Sequence, residues 1–224
     1  MRQTLRAVWA HPSGILLTGQ LFVVLLYPFL DSSTAGRAIL GVAQMALVFT
    51  AVRAVRRTPA LGRVGVLLGG PAMVFAILEA VEPDVDWIVL TSAVFHVPFY
   101  LYVSYAMIRY LFHDDRVTRD ELFATGAAFT VVAWAFAYVY AAVQVLDPGS
   151  FVNYADAGGD LPWFELLYLS FTTLTSVGLS DVIAVQNHAR SVVMVEMLVG
   201  VLYVALVIAR LVGLTAARAR RESS

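Results

Sequence analysis

The residues able to do chemistry are few and stand among hydrocarbon side chains. Residues 168–181 read YLSFTTLTSVGLSD and lie between the last two long apolar runs. The stretch gathers the hydroxyls of Ser170, Thr173, Thr175, Ser176 and Ser180, the flexible backbone of Gly178 and the carboxylate of Asp181. Glycine adopts backbone angles that cost other residues free energy, so a stretch around Gly178 can turn main-chain carbonyls to one side. Further on, Glu196 sits inside an apolar run, where an acid requires a protein or water partner and is a candidate functional residue. Its other reading is a protonated or hydrogen-bonded brace. The sequence has no cysteine, which excludes disulfides, thiolate metal sites and thiol nucleophiles. Paired-carboxylate hydrolysis would need a second aspartate facing Asp181, and the nearest candidate, Asp156, lies in a loop rich in glycine and aspartate.

Membrane helices must position these residues. About 60% of the residues are apolar and 14% charged, a balance beyond that of soluble domains, and this makes the chain an integral membrane protein. Apolar runs at 15–30, 38–52, 64–81, 87–112, 122–146 and 191–214 predict an all-α membrane protein with six transmembrane helices. The first run also has the length and basic flank, Arg2 and Arg6, of a secretory signal, with Ser33, Thr34 and Ala35 near a possible cleavage point. An alternating topology, however, needs it as a span. Gly69, Gly70 and Pro71 predict a bend or a close helix contact in the third run.

Every basic residue is arginine. With both termini cytoplasmic in a multi-pass chain of the inner (plasma) membrane, all arginines except Arg37 and Arg190 fall inside, as the positive-inside rule requires. The same placement puts Asp31, Glu82, Asp84, Asp86, Asp147, Asp156 and Asp160 outside. There they either concentrate cations or form ordinary solvated loops.

Ser170, Phe171, Thr173, Leu174, Thr175, Val177, Gly178 and Asp181 match an S-F-x-T-L-T-T-V-G-Y-G-D run as they stand. The stretch thereby resembles the pore loop of the tetrameric potassium channels. The resemblance implies a re-entrant pore helix and filter between the fifth and sixth helices, one copy from each chain of a homotetramer. Potassium or sodium would be held by backbone carbonyls at Thr175, Ser176, Val177, Gly178 and Leu179. Support would come from Ser180, Asp181, Tyr168 and Trp163, with Asp181 hydrogen-bonded toward Tyr168 or Trp163. Ser180 stands where the pattern has its second glycine and Leu179 where it has an aromatic residue. A serine forced to positive φ at Ser180 would be strained by about 1 to 3 kcal/mol, and the two departures weaken the expectation of potassium selectivity. Leu161, Pro162 and Trp163 suit the start of the pore helix.

Glu196, Gly200, Tyr203, Ala205, Ile208, Arg210 and Gly213 match the inner helix of bacterial two-helix-type pore modules, which this last helix resembles. On that resemblance Gly200 stands at the gating hinge; packing is its other reading. The layout divides the chain into a voltage-sensor-like membrane domain with its linker (1–121), a pore domain (122–214) and a basic cytoplasmic tail (215–224). The fourth run carries no arginine ladder, only His96 and Arg109, which argues against strong voltage sensing. His96 reads as a proton sensor or a packed polar contact. The short tail, with Arg218, Arg220 and Arg221, leaves no room for a nucleotide-binding domain and suits anionic lipid head groups.

The expected activity is passive conduction of a monovalent cation, potassium before others, through residues 175–180, with no cofactor, no nucleic-acid partner and no enzymatic step. A non-selective cation channel is the alternative. So is a potassium-uptake transporter subunit, since Val177 to Ser180 resembles the single-glycine filters of such systems, although those carry four repeats per chain and this chain carries one. The sequence GLSD at 178–181 approaches the G-x-G-D motif of intramembrane aspartyl proteases, but its third position is serine. Absence of lysine with abundant alanine and valine points to a bacterial source.

Overall fold

Inside hydrocarbon a backbone has only its own groups to hydrogen-bond, so long apolar runs fold as helices. A computed structural model describes residues 12–55, 59–111, 119–155 and 159–222. Its helices are α1 (Pro12–Leu30), α2 (Thr34–Val55), α3 (Pro59–Val81), α4 (Asp86–Leu111), α5 (Arg119–Leu146), α6 (Trp163–Leu174) and α7 (Asn187–Glu222). Of these, α1, α3, α4, α5 and α7 are long and apolar enough to cross a membrane, and α2 is apolar over Thr34–Val48. The expected positions of Arg2, Arg6, Arg56, Arg57, Arg116 and Asp156 lie outside the described residues.

Helix α5 is the hub, with α1, α4, α6 and α7 all packed on it. Its alanines Ala124, Ala127, Ala128, Ala133, Ala135 and Ala137 are buried, and such small side chains let neighbouring helices approach closely. The first apolar run belongs to this core: Leu16 and Val23 of α1 are buried in it. Asp120, in the first turn of α5, accepts from the backbone N–H and the hydroxyl of Ser13 at 3.0 and 2.9 Å. One carboxylate thus serves the amino-terminal ends of two helices, where negative charge is favoured. Gly69 resolves as a close contact, since a Cβ there would come within 2.8 Å of the Phe99 ring.

At the opposite end, the Arg37 guanidinium donates to the carbonyls of Ala80 and Asp31, tying the α1–α2 turn to the end of α3. Asp31, Glu79, Asp84, Asp86 and Asp160 line one cavity of about 380 Å³ at this end. Acidic residues from three separate connections therefore share one end of the helices.

Two features depart from the sequence reading. The helical fold expected of the chain carries one short ribbon besides: β1 (Phe151–Asn153) pairs antiparallel with β2 (Val182–Ala184), with Phe151 opposite Ala184 and Asn153 opposite Val182. Strands of three residues are too short to show an alternating pattern. In addition, α7 starts at Asn187 and continues to Glu222, so residues 215–222 extend that helix instead of forming a separate tail.

Candidate functional site

The site is built on the end of α6. Pro162 directly precedes the helix with φ −57° and ψ 149°. Gln144 of α5 fixes this approach with both ends of its amide, accepting from the Leu161 N–H at 2.9 Å and donating to the Leu161 carbonyl at 3.1 Å. At the other end Thr175 is still right-handed, whereas Ser176 has φ 59°. The Ser176 N–H bonds to the Thr173 carbonyl and the Val177 N–H to the Thr172 carbonyl, 3.0 and 3.1 Å. That pair of bonds around one left-handed residue is the Schellman termination, here with serine where glycine is usual.

The termination dictates where the carbonyls go. The N–H groups of Ser176, Val177 and Gly178 all point back to the last turn of α6, Gly178 sharing the Thr172 carbonyl at 3.1 Å. In a planar trans peptide the preceding carbonyl points the opposite way, and the described chain has no cis bond. Hence the carbonyls of Thr175, Ser176 and Val177 are turned away from α6. Residues 175–179 are exposed in the single chain. The Thr175 hydroxyl donates to the Phe171 carbonyl at 2.6 Å.

Beyond Gly178, at φ 68°, the chain leaves by a different route from the one expected. Ser180 is not at positive φ; the left-handed residues of this stretch are Ser176 and Gly178. The Ser180 hydroxyl instead accepts from the Val182 N–H at 3.0 Å, a side-chain turn that leads into β2. Serine at this position therefore performs a function that glycine could not. The Leu179 carbonyl, expected among the coordinating groups, accepts from the Tyr168 hydroxyl at 3.0 Å. Asp181 is exposed, and its main-chain carbonyl accepts from the Tyr154 N–H at 2.9 Å. The Trp163 indole N–H is buried without a partner, so an Asp181 bond to Trp163 is not formed. Two residues the sequence reading missed hold this exit: Asn153 of β1 donates to Glu165 of α6 at 3.0 Å.

Behind α6 runs α7. Glu196 is fully buried and contacts the hydroxyls of Tyr140 and Ser170. Ser170 also lies 2.8 Å from the Ala133 carbonyl, which can only accept. A serine hydroxyl has one proton to give, so both Ser170 contacts are satisfied when the Glu196 carboxyl carries a proton and donates to Ser170. That geometry favours the brace reading. One turn further on, a Cβ on Gly200 would come 2.1 Å from the Leu174 carbonyl. Gly200 is therefore required by the contact of α7 with the end of α6, and α7 is continuous through it. Tyr203 ties α7 to α5 through the Thr125 carbonyl at 2.6 Å.

Trp163 joins the site to the front helices, with Tyr27 of α1 and Tyr138 of α5 at ring-centroid distances of 5.8 and 5.4 Å. His96 stacks on Tyr138 at 4.1 Å, fully buried, its Nδ1 beside the Ser92 carbonyl; this is the packed contact. Among the described residues no cluster of three histidine or carboxylate side chains is placed to hold a metal ion. Main-chain oxygens are what the exposed turn offers.

Residues 126–216 match a family model described as an ion channel. No curated protein and no solved structure matches the chain. The matched segment takes in most of α5, the ribbon, α6, the exposed turn and α7 through residue 216. It supports an ion channel embedded in a membrane.

Proposed function

We propose that four copies of this chain assemble around a shared axis as a passive cation channel, with residues 175–178 lining the conduction path. One observation carries the reading: three successive carbonyls, those of Thr175, Ser176 and Val177, face away from their own helix on an exposed, non-helical turn. Non-helical backbone at membrane depth is tolerated only where protein buries it or water reaches it, and copies of the same turn meeting at an axis satisfy both conditions. The partial negative charge at the carboxyl end of α6 adds to the attraction for a cation. The acidic end of the helices would face outward and the arginine-rich ends the cytoplasm, in a bacterial inner membrane.

The test is the mass of the detergent-solubilised complex together with cation flux from proteoliposomes. A four-chain complex that releases potassium or sodium down its gradient is the expected result. A stable monomer, or a tetramer that releases neither ion, contradicts the proposal.

A further inference from the structure

We infer that Tyr168 sets the outer limit of the carbonyl path: by holding the Leu179 carbonyl against α6 it withdraws that carbonyl from the permeant ion and weakens discrimination of potassium from sodium. The inference rests on the channel reading above and deepens it.

The geometry has two halves. The N–H groups of Ser176, Val177 and Gly178 point at α6, and the carbonyls of Thr175, Ser176 and Val177 away from it. At Leu179 the sense reverses, because a carbonyl that accepts from a side chain of α6 points back at α6. The reversed orientation is fixed on its far side as well: Ser180 caps the turn into β2, and the Asp181 carbonyl is bonded to Tyr154. The Leu179 side chain, 73% exposed, braces nothing within its own chain. The usual arrangement, in which an aromatic residue of the filter leans on the pore helix, is thus inverted, with the aromatic hydroxyl on the helix and the acceptor in the filter backbone. A filter replaces the water of a cation by successive rings of carbonyls, and ions move by displacement between adjacent sites. Fewer rings leave fewer sites in line, and an ion that keeps part of its water is discriminated less.

Tyr168→Phe removes the hydroxyl alone, from a half-exposed position where the ring can stay. Wild type and variant are compared as purified complexes in planar bilayers with potassium chloride on one side and sodium chloride on the other. The wild type is expected near equal permeability, and Y168F is expected to favour potassium severalfold as the freed carbonyl turns inward. A conducting variant with an unchanged ratio overturns the role of Tyr168 and leaves the channel reading intact. Strong potassium preference in the wild type does the same. Absence of conductance from the wild type overturns the channel reading and this inference with it. A second measurement is independent of whether Y168F conducts: infrared spectra of wild type carrying a carbonyl-13C label at Val177 or at Leu179. Exchanging potassium for a large impermeant cation is expected to shift the Val177 band only, and a comparable shift at Leu179 overturns the inference.

Discussion

At the scale of single residues, the turn after α6 is held by main-chain hydrogen bonds to the last turn of that helix. Within it Ser176 is strained in its backbone, since a left-handed conformation costs a non-glycine residue roughly 1 to 2 kcal/mol. Ser176→Gly is therefore expected to raise the thermal midpoint of the solubilised protein by the equivalent of about 1 kcal/mol or less, glycine's greater freedom in the unfolded chain offsetting part of the gain. A lowered midpoint would show that the serine hydroxyl holds the turn. Glu196 gives a sharper contrast. As a neutral donor to Ser170 it is well imitated by an amide, so Glu196→Gln is expected to unfold near the wild-type temperature, whereas Glu196→Ala strands buried hydroxyls at a cost of about 1 to 3 kcal/mol. Equal damage from the two variants would contradict the proton count. The need for glycine at Gly178 was legible in the sequence. The strain was not, because spacing alone does not say whether a V-G-L-S run turns before or after its glycine; hydrogen bonds to the last turn of α6 decide it.

At the scale of elements, the decisive contacts are those that hold α6 between α5 and α7. Ser170 with Glu196, and Leu174 with Gly200, lie one helical turn apart on both helices, so α6 and α7 touch along matched turns. Gly200→Ala places a methyl group into the Leu174 carbonyl and is expected to destabilise by about 1 to 3 kcal/mol through overpacking. Gly213 has nothing within 4 Å of a Cβ in the single chain, and Gly213→Ala is the near-neutral control. If Gly200→Ala leaves stability untouched but alters open probability, the hinge reading returns. The resemblance marked the position of α6, and the apolar patterning announced the long helices, since residues facing hydrocarbon have little other choice. It could not announce the ribbon, whose three-residue strands are held by Asn153, Glu165 and the Tyr154–Asp181 bond. Nor could it announce the Gln144 clamp on Leu161, which joins residues far apart in the sequence.

At the scale of the whole molecule, a single chain leaves its most specific backbone uncovered. Much of α7 is also bare, with Met194, Leu198, Leu202 and Leu206 among its exposed side chains, a face the proposed assembly would divide between lipid and neighbouring copies. The front helices α1 to α4 carry no arginine ladder in α4, and they reach the site through the contact of Tyr27 with Trp163 and through His96, which stacks on Tyr138 of α5 beside Trp163. Replacing half-buried Trp163 by alanine is expected to loosen the start of α6 and lower stability by about 1 to 3 kcal/mol, read as earlier unfolding on heating. The central claim is that cations cross where the carbonyls of Thr175, Ser176 and Val177 face a common axis. The most direct test is single-channel recording of the purified complex in a planar bilayer under a potassium chloride gradient. The account predicts discrete current steps that reverse near the potassium limit. Steps reversing at the chloride limit, or a silent bilayer from demonstrably tetrameric protein, would contradict it.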